Sequence, residues 1–407
     1  MLYSIIVGGT GGLLTWSFLA VTSLTTDFLW VSLPKTIGVQ NWTILVCLVG
    51  GILVGLCQKY FGNYPRIMQD VLAEFKETKR IDYKSLYKNT LAAFCVLSFG
   101  ASLGPEAALV GIIGGLSTWA GDTIKSLVKK KSVLNEYGDL IIEYSVESKI
   151  CKIFKSPIFG ANTLIKGKKD SRHIKTIKTL IYLTITAAGI GVFIFLSKID
   201  SRAISLPNFS SVIIGKNEII AIMPLILIGI LFAILYEFFG DILYKVLKPL
   251  ENYKIIKAVV GGLVLGLIGT ILPQTLFSGA HQLIELTAEW TNMSIYLLLI
   301  IGIIKLFITE FCLVTGWRGG HIFPLVFTGI SIGYGIALLF PIDPVISITI
   351  LTTSLTSGVL KKPILVILLL LIIFPIKLTI PMILAAYIPI YILKYVNNFT
   401  QRLVNAY

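Results

Sequence analysis

Apolar residues run along this chain in long uncharged blocks, without the alternating or four-residue stripes of elements that keep one face in water. Thr179 to Ser197, Ile219 to Tyr236, Ala258 to Ala280 and Pro344 to Leu360 contain no Asp, Glu, Lys or Arg. Each block is about long enough to cross the roughly 30 Å hydrocarbon layer of a bilayer as a helix. Met1 to Thr26 and Trp42 to Leu56 are further blocks of this kind. The first carries no basic n-region, so it reads as a retained membrane segment and not as a cleaved signal peptide. The pattern predicts an all-α polytopic membrane protein. Composition agrees: of 407 residues, 55% are hydrophobic and 14% charged. That excludes a disordered chain and leaves too little polar surface for a soluble one.

Charge adds orientation. The balance is 35 Lys+Arg against 21 Asp+Glu, a net +14, which in a soluble domain would suggest nucleic acid but here is read against topology first. The loop Asp27 to Gln40 holds one basic residue, Lys35. The connection after Leu56 holds Lys59, Arg66, Lys76, Lys79, Arg80, Lys84 and Lys88. The excess places the second loop in the cytoplasm and, two crossings earlier, the N-terminus with it. The clusters Lys125 with Lys129 to Lys131, and Lys166 to Lys178, read chiefly as solvated loop charge facing anionic lipid. Lining an anion vestibule is the sharper alternative. Cys47, Cys57, Cys95, Cys151 and Cys312 are odd in number and scattered, so neither a disulfide framework nor a metal site is indicated. No cofactor is expected.

The chain also repeats itself. Val49-Gly-Gly-Ile-Leu-Val-Gly-Leu56 returns as Val260-Gly-Gly-Leu-Val-Leu-Gly-Leu267, an offset of 211 (260 − 49). Lys88 with Phe94-Cys95 returns as Lys305 with Phe311-Cys312, and Pro157-Ile158 returns as Pro363-Ile364. Gly-rich helix packing explains each match singly but not their common order. The expected division is a first membrane repeat over 1–200, a linker over 201–217 and a second repeat over 218–407.

Duplicated halves with short, Gly- and Pro-interrupted segments are a recurrent transporter architecture, with the substrate site at the interruptions. Asn89 to Leu103 and Ala107 to Gly121 are broken by Gly104-Pro105-Glu106. Ile303 to Gly316 and Ile322 to Leu338 are broken by Trp317-Arg318-Gly319-Gly320-His321. Helix ends inside a membrane leave backbone N–H groups unpaired unless they line a polar cavity. Such N–H groups, with a helix dipole behind them, bind anions without a cationic side chain. Glu106 stands at the first break. It is either a helix cap in a favoured first-turn position or a gate: its carboxylate is itself an anion that occupies the site and yields it on protonation.

At these residues the chain resembles the CLC family of chloride channels and proton-coupled chloride transporters. Leu103-Gly104-Pro105-Glu106-Ala107-Ala108 followed by Gly114-Gly115 is similar to the family's glutamate motif. Lys305, then Gly319-Gly320-His321-Ile322-Phe323-Pro324 and Gly329, resembles its second motif. Lys362-Pro363-Ile364 and Pro381-Met382-Ile383 resemble its third. The resemblance implies two inverted-topology repeats with discontinuous, re-entrant helices, in a bacterial-type member without regulatory domains and seated in the bacterial inner membrane. It implies Glu106 as the gating glutamate, and an anion site drawn from Gly62, Asn63, Gly104, Pro105, Ala107, Gly320, His321, Ile322 and Phe323, with the amides of His321 and Ile322 at the central anion. It also implies a homodimer carrying chloride or another small anion, and in exchangers protons.

Departures from the family pattern qualify this. Phe61-Gly62-Asn63-Tyr64-Pro65 stands where the family has a Ser-containing turn, so Gly62 offers no side-chain donor although Asn63 has one. The internal proton glutamate falls at Gly167, and the pore tyrosine falls near Arg402, with Tyr387, Tyr391 and Tyr407 as candidates. The expectation is a glutamate-gated anion pathway that is channel-like or weakly proton-coupled, with a proton-coupled chloride or fluoride antiporter as the alternative. His321 is a poor metal ligand, since only His173 and His281 accompany it. No HExxH and no Gly-x-Ser-x-Gly supports an enzyme.

Overall fold

In the computed structural model the chain is helical almost throughout, and the structure describes residues 2–127, 172–199 and 207–404 except 68, 69, 72, 73, 75, 76, 79, 208, 210 and 211. Cys151, Pro157, Gly167 and Tyr407 lie outside the described residues. Helix α1 (Leu2–Asp27) continues through a π-helical turn, Phe28–Ser32, into Leu33–Ile37. Then come α2 (Trp42–Tyr60), α3 (Leu86–Ser98), α4 (Glu106–Leu127), α5 (Arg172–Ile199), α6 (Lys216–Leu247) and α7 (Lys254–Ile271). The series ends with α8 (Gln282–Glu289), α9 (Ile295–Val314), α10 (Ile322–Leu339), α11 (Pro344–Leu360), α12 (Pro363–Leu370) and α13 (Thr379–Val404). Among the described residues seven helical segments are long and apolar enough to cross a membrane, and Glu106–Leu116, Leu183–Ile199 and Pro344–Leu360 are shorter apolar helices.

Lipid offers no hydrophobic force between helices, so small residues that let backbones approach decide who packs on whom. A Cβ on Gly8 or Gly12 of α1 would run into the carbonyls of Ile185 and Gly189 on α5. The crossing of α2 on α7 is reciprocal. A Cβ on Gly51 would meet the Ala258 carbonyl, and one on Gly262 the Cys47 carbonyl; Gly55 abuts Ile255 and Gly266 abuts Ile44. Every residue in one list stands 211 positions (262 − 51) from its counterpart in the other. The matching octapeptides therefore make the same contacts on each other.

Helices α10 and α11 form the centre of the protein. From Pro324 to Ile336 every residue of α10 is buried, and so is every residue of α11 from Ile346 to Gly358, including Thr349, Thr352, Thr353, Ser354, Thr356 and Ser357. By contrast α6 buries Leu225, Ile226, Gly229, Ile230 and Ala233 while Ile220, Leu227, Leu231 and Ile234 are exposed on its lipid side.

Two expected segments differ. The block Ala258 to Ala280 is not one helix: α7 ends at Ile271, followed by the 3-10 turn Pro273–Thr275 and by Phe277 and Gly279 at positive φ. Pro273 lacks an N–H and disfavours the helical conformation at Leu272, which adopts φ −127° and ψ 79°. The carbonyls so released inside the membrane need donors, and Lys305 supplies them: its Nζ donates to the carbonyl oxygens of Thr275 (2.9 Å), Leu276 (3.0 Å) and Phe277 (2.7 Å). The segment Ile303 to Gly316 starts in mid-helix and its helical part ends at Val314. It is the latter part of the 20-residue α9, capped by Ser294, whose hydroxyl accepts from the Leu297 N–H at 3.2 Å.

Candidate functional site

The two breaks meet. Gly104 donates its N–H to the Gly320 carbonyl at 2.7 Å, and Gly320 donates back to the Gly104 carbonyl at 3.0 Å. Each break leads directly into a helix, α4 at Glu106 and α10 at Ile322, so two helix N-termini converge on one point with their positive ends inward. Pro105 suits the entry to α4, because a residue without an N–H leaves one fewer donor to satisfy there.

Into this point the chain folds its own anion. Glu106 is 1% exposed. Its Oε1 accepts from the backbone N–H of Ile322 at 2.8 Å and of Phe323 at 3.5 Å. Its Oε2 is buried with no hydrogen-bond partner. The space is made by glycine: a Cβ on Gly320 would stand where the Glu106 carboxyl carbon lies, and one on Gly104 would strike Oε2. The amides that reach the carboxylate are thus Ile322 and Phe323, one residue beyond the expected pair of His321 and Ile322. His321 occupies the N-cap position of α10, and the N–H groups left free by a helix point outward from its first turn.

Packing behind the breaks fixes them. Trp317 is fully buried and donates its indole N–H to the Ala258 carbonyl at 2.9 Å. Ser102 and Thr309 share a hydroxyl hydrogen bond of 3.1 Å, and Thr309 in turn donates to the Lys305 carbonyl at 2.6 Å. Phe277, at the end of the Lys305 cage, donates its N–H to the Gly100 carbonyl at 3.0 Å. Asn89 of α3 donates to the Ala108 carbonyl at 3.3 Å and accepts the Arg66 N–H at 3.0 Å, tying α4 to the turn before α3.

A cavity of about 360 Å³, open mouth included, is lined by Glu106, Ala107, Gly320, His321 and Ile322 together with Lys362 at the foot of α12. Lys362 brings positive charge to the wall, a role its place before Pro363 in the sequence did not reveal. Of the other expected anion-site residues, Gly62 and Asn63 do not line this cavity. Gly62 sits at φ +87° in an open turn, and Asn63 presents its backbone carbonyl to the Arg318 guanidinium at 3.1 Å. Arg318 thereby clamps the second break to the turn after α2. Tyr387 and Tyr391 lie on α13 and do not line the cavity, and Tyr391 is 69% exposed. Among the described residues Tyr236 of α6 reaches this region, its ring centroid 6.1 Å from that of His321. Among the described residues no group of three or more His, Cys, Asp or Glu is placed to hold a metal ion.

A family described as "Voltage gated chloride channel" has a sequence profile that matches residues 50–394. The chain belongs to the CLC family. Within reach of that assignment are the candidate ion-transport protein YfeO of Escherichia coli O127:H6, 24% identical over 347 residues that span 81% of this chain and 77% of YfeO, and two solved structures. A CLC-type fluoride/proton antiporter superposes with a TM-score of 0.69 at 19% identity, covering 96% of this chain and 94% of its own. A slow cyanobacterial Cl-/H+ antiporter superposes with a TM-score of 0.70 at 18% identity, covering 97% and 94%. The CLC fold is therefore shared at low identity. This CLC protein is a multi-pass integral membrane protein of the CLC anion-transport type.

Proposed function

We propose that the chain carries chloride or a similar small anion across the membrane along a pathway that Glu106 gates. The observation that supports this is the Glu106 carboxylate seated on the Ile322 and Phe323 amides. A site that holds a carboxylate through N–H donors and helix dipoles holds a halide by the same forces. Fixed partial charges bind weakly enough for the ion to leave again. Deprotonated, Glu106 blocks the site; protonated, it loses the charge that holds it there and yields to a mobile anion.

Transport in this reading is channel-like or only weakly coupled to protons, since Gly167 stands where the exchangers of the family carry their internal proton glutamate. A proton-coupled chloride or fluoride antiporter is the second reading, favoured by the two antiporters that share the fold. In the same reading the halves divide at about the 201–217 segment, the N-terminus faces the cytoplasm of a bacterial inner membrane, and two copies assemble with a pathway in each. Protein reconstituted in liposomes and loaded with chloride, fluoride or gluconate tests the proposal. Halide efflux well above that of gluconate is expected, and equal, protein-independent leaks of all three would contradict it. Fluoride efflux that outruns chloride would favour the fluoride form of the second reading.

A further inference from the structure

Glu310 is a second carboxylate inside a membrane-crossing helix, and the anion site does not use it. It sits in α9, and the facing wall of α6 is cut away for it: a Cβ on Gly240 would come 3.2 Å from Glu310 Oε2. One helical turn before Gly240, Tyr236 is 4% exposed and directs its hydroxyl at the same carboxylate. That hydroxyl is buried with no partner at hydrogen-bond geometry. On the other side Glu237 and Asp241 of α6 face Glu310 electrostatically. Glu237 pairs with Lys361 at 2.7 Å, and both side chains are partly exposed. Ionisable side chains are kept inside a membrane at a cost, and their commonest uses there are ion pathways and proton relays.

The groups form a line. It begins at the exposed Glu237–Asp241 edge beside Lys361 and passes through Glu310 to the Tyr236 hydroxyl. The Tyr236 ring packs beside His321, and His321 lines the cavity that holds Glu106. Titratable groups thus run from solvent to the gate through an otherwise apolar interior. We infer that Glu310 is a proton-relay residue that exchanges protons between the Glu237–Asp241 edge and Glu106 by way of Tyr236 and His321. The inference rests on the reading of Glu106 as a protonatable gate. In one passage the Glu310 carboxyl gives its proton to the Tyr236 oxygen as the Tyr236 O–H proton passes to the His321 ring, and a His321 proton passes to Glu106. Glu310 is left as a carboxylate and Glu106 as a carboxylic acid, Tyr236 is again a phenol, and His321 is the other neutral tautomer, which the reverse passage or a ring flip resets. A proton from solvent at Glu237 or Asp241 then refills Glu310, and the reverse sequence empties Glu106.

The test uses the full chain in liposomes under a chloride gradient, with chloride and proton movement recorded together. Glu310→Gln, which keeps size and polarity, should leave chloride efflux near wild type and slow proton movement by about tenfold or more. Tyr236→Phe, which removes the oxygen through which the proton passes, should slow it comparably, and Glu310→Asp should restore part of it. A merely structural Glu310 would lower both fluxes together. Unchanged proton-to-chloride ratios in Glu310→Gln, or chloride efflux without any proton movement in the wild type, would overturn the relay while leaving the gate intact. Wild-type proton movement in Glu106→Gln would overturn the gate itself, whatever Glu310 does, and absence of halide efflux in every variant would overturn both.

Discussion

At the scale of single residues, the site depends on two absent side chains as much as on one present carboxylate. Gly320 and Gly104 leave the volume that Glu106 fills. Hydrogen bonds to a charged group contribute about 1.5–3 kcal/mol. Displacing the carboxylate from the Ile322 and Phe323 amides should therefore shift the ratio of open to blocked sites by about tenfold or more. Gly320→Ala puts a methyl where the carboxyl carbon lies and should raise halide efflux at neutral pH toward the level of Glu106→Gln. A wild-type efflux rate in Gly320→Ala, in protein that remains monodisperse, would show that Glu106 does not rest there.

Glu106 was legible in the sequence because it is the one ionisable residue in a Gly-Pro break. Glu310 lies in an apolar run and was passed over, although the rule that singles out Glu106 applies to it equally. Lys305 stood out as a repeat marker and as the first residue of the second motif, without a physical role. Its partners could not be read, because which carbonyls lose their own helix depends on where α7 stops.

At the scale of elements, both breaks and the helices that follow them were legible, since Gly, Pro and charge interrupt the apolar blocks there. Helix ends were less so. Pro273 was the signal that the Ala258 to Ala280 block would break, and Ser294 the signal that α9 starts well before Ile303. The packing of α2 on α7 follows from the repeated octapeptides, but that these two copies touch each other, glycine against backbone, emerged only from the structure. Overpacking a tight contact costs about 1–3 kcal/mol. Gly51→Leu and Gly262→Leu should accordingly destabilise the protein by similar amounts, read as matching drops in thermal midpoint in detergent. Loss in only one of them would break the equivalence of the two copies.

At the scale of the whole molecule, the uncharged blocks announced a membrane protein, and the order of the motifs announced the CLC fold. Both arise from local constraints, namely bilayer thickness and backbone satisfaction, that every segment must meet by itself. The placement of Gly62, Asn63, Tyr387 and Tyr391 away from the Glu106 cavity was not legible, because distance between segments depends on how all the helices pack. Tyr236 reaches the His321 region from α6 for the same reason. Two broken helices brought nose to nose around one carboxylate are what the proposed pathway rests on, in which that side chain competes with the anion.

That competition is best tested by the pH dependence of chloride efflux from liposomes, measured for wild type and Glu106→Gln. In the proposed gate the deprotonated carboxylate blocks the amides and the protonated one releases them, so wild-type efflux should rise as pH falls, and Glu106→Gln should conduct at every pH with a flat profile. A Glu106→Gln protein that keeps the wild-type pH profile would contradict the account.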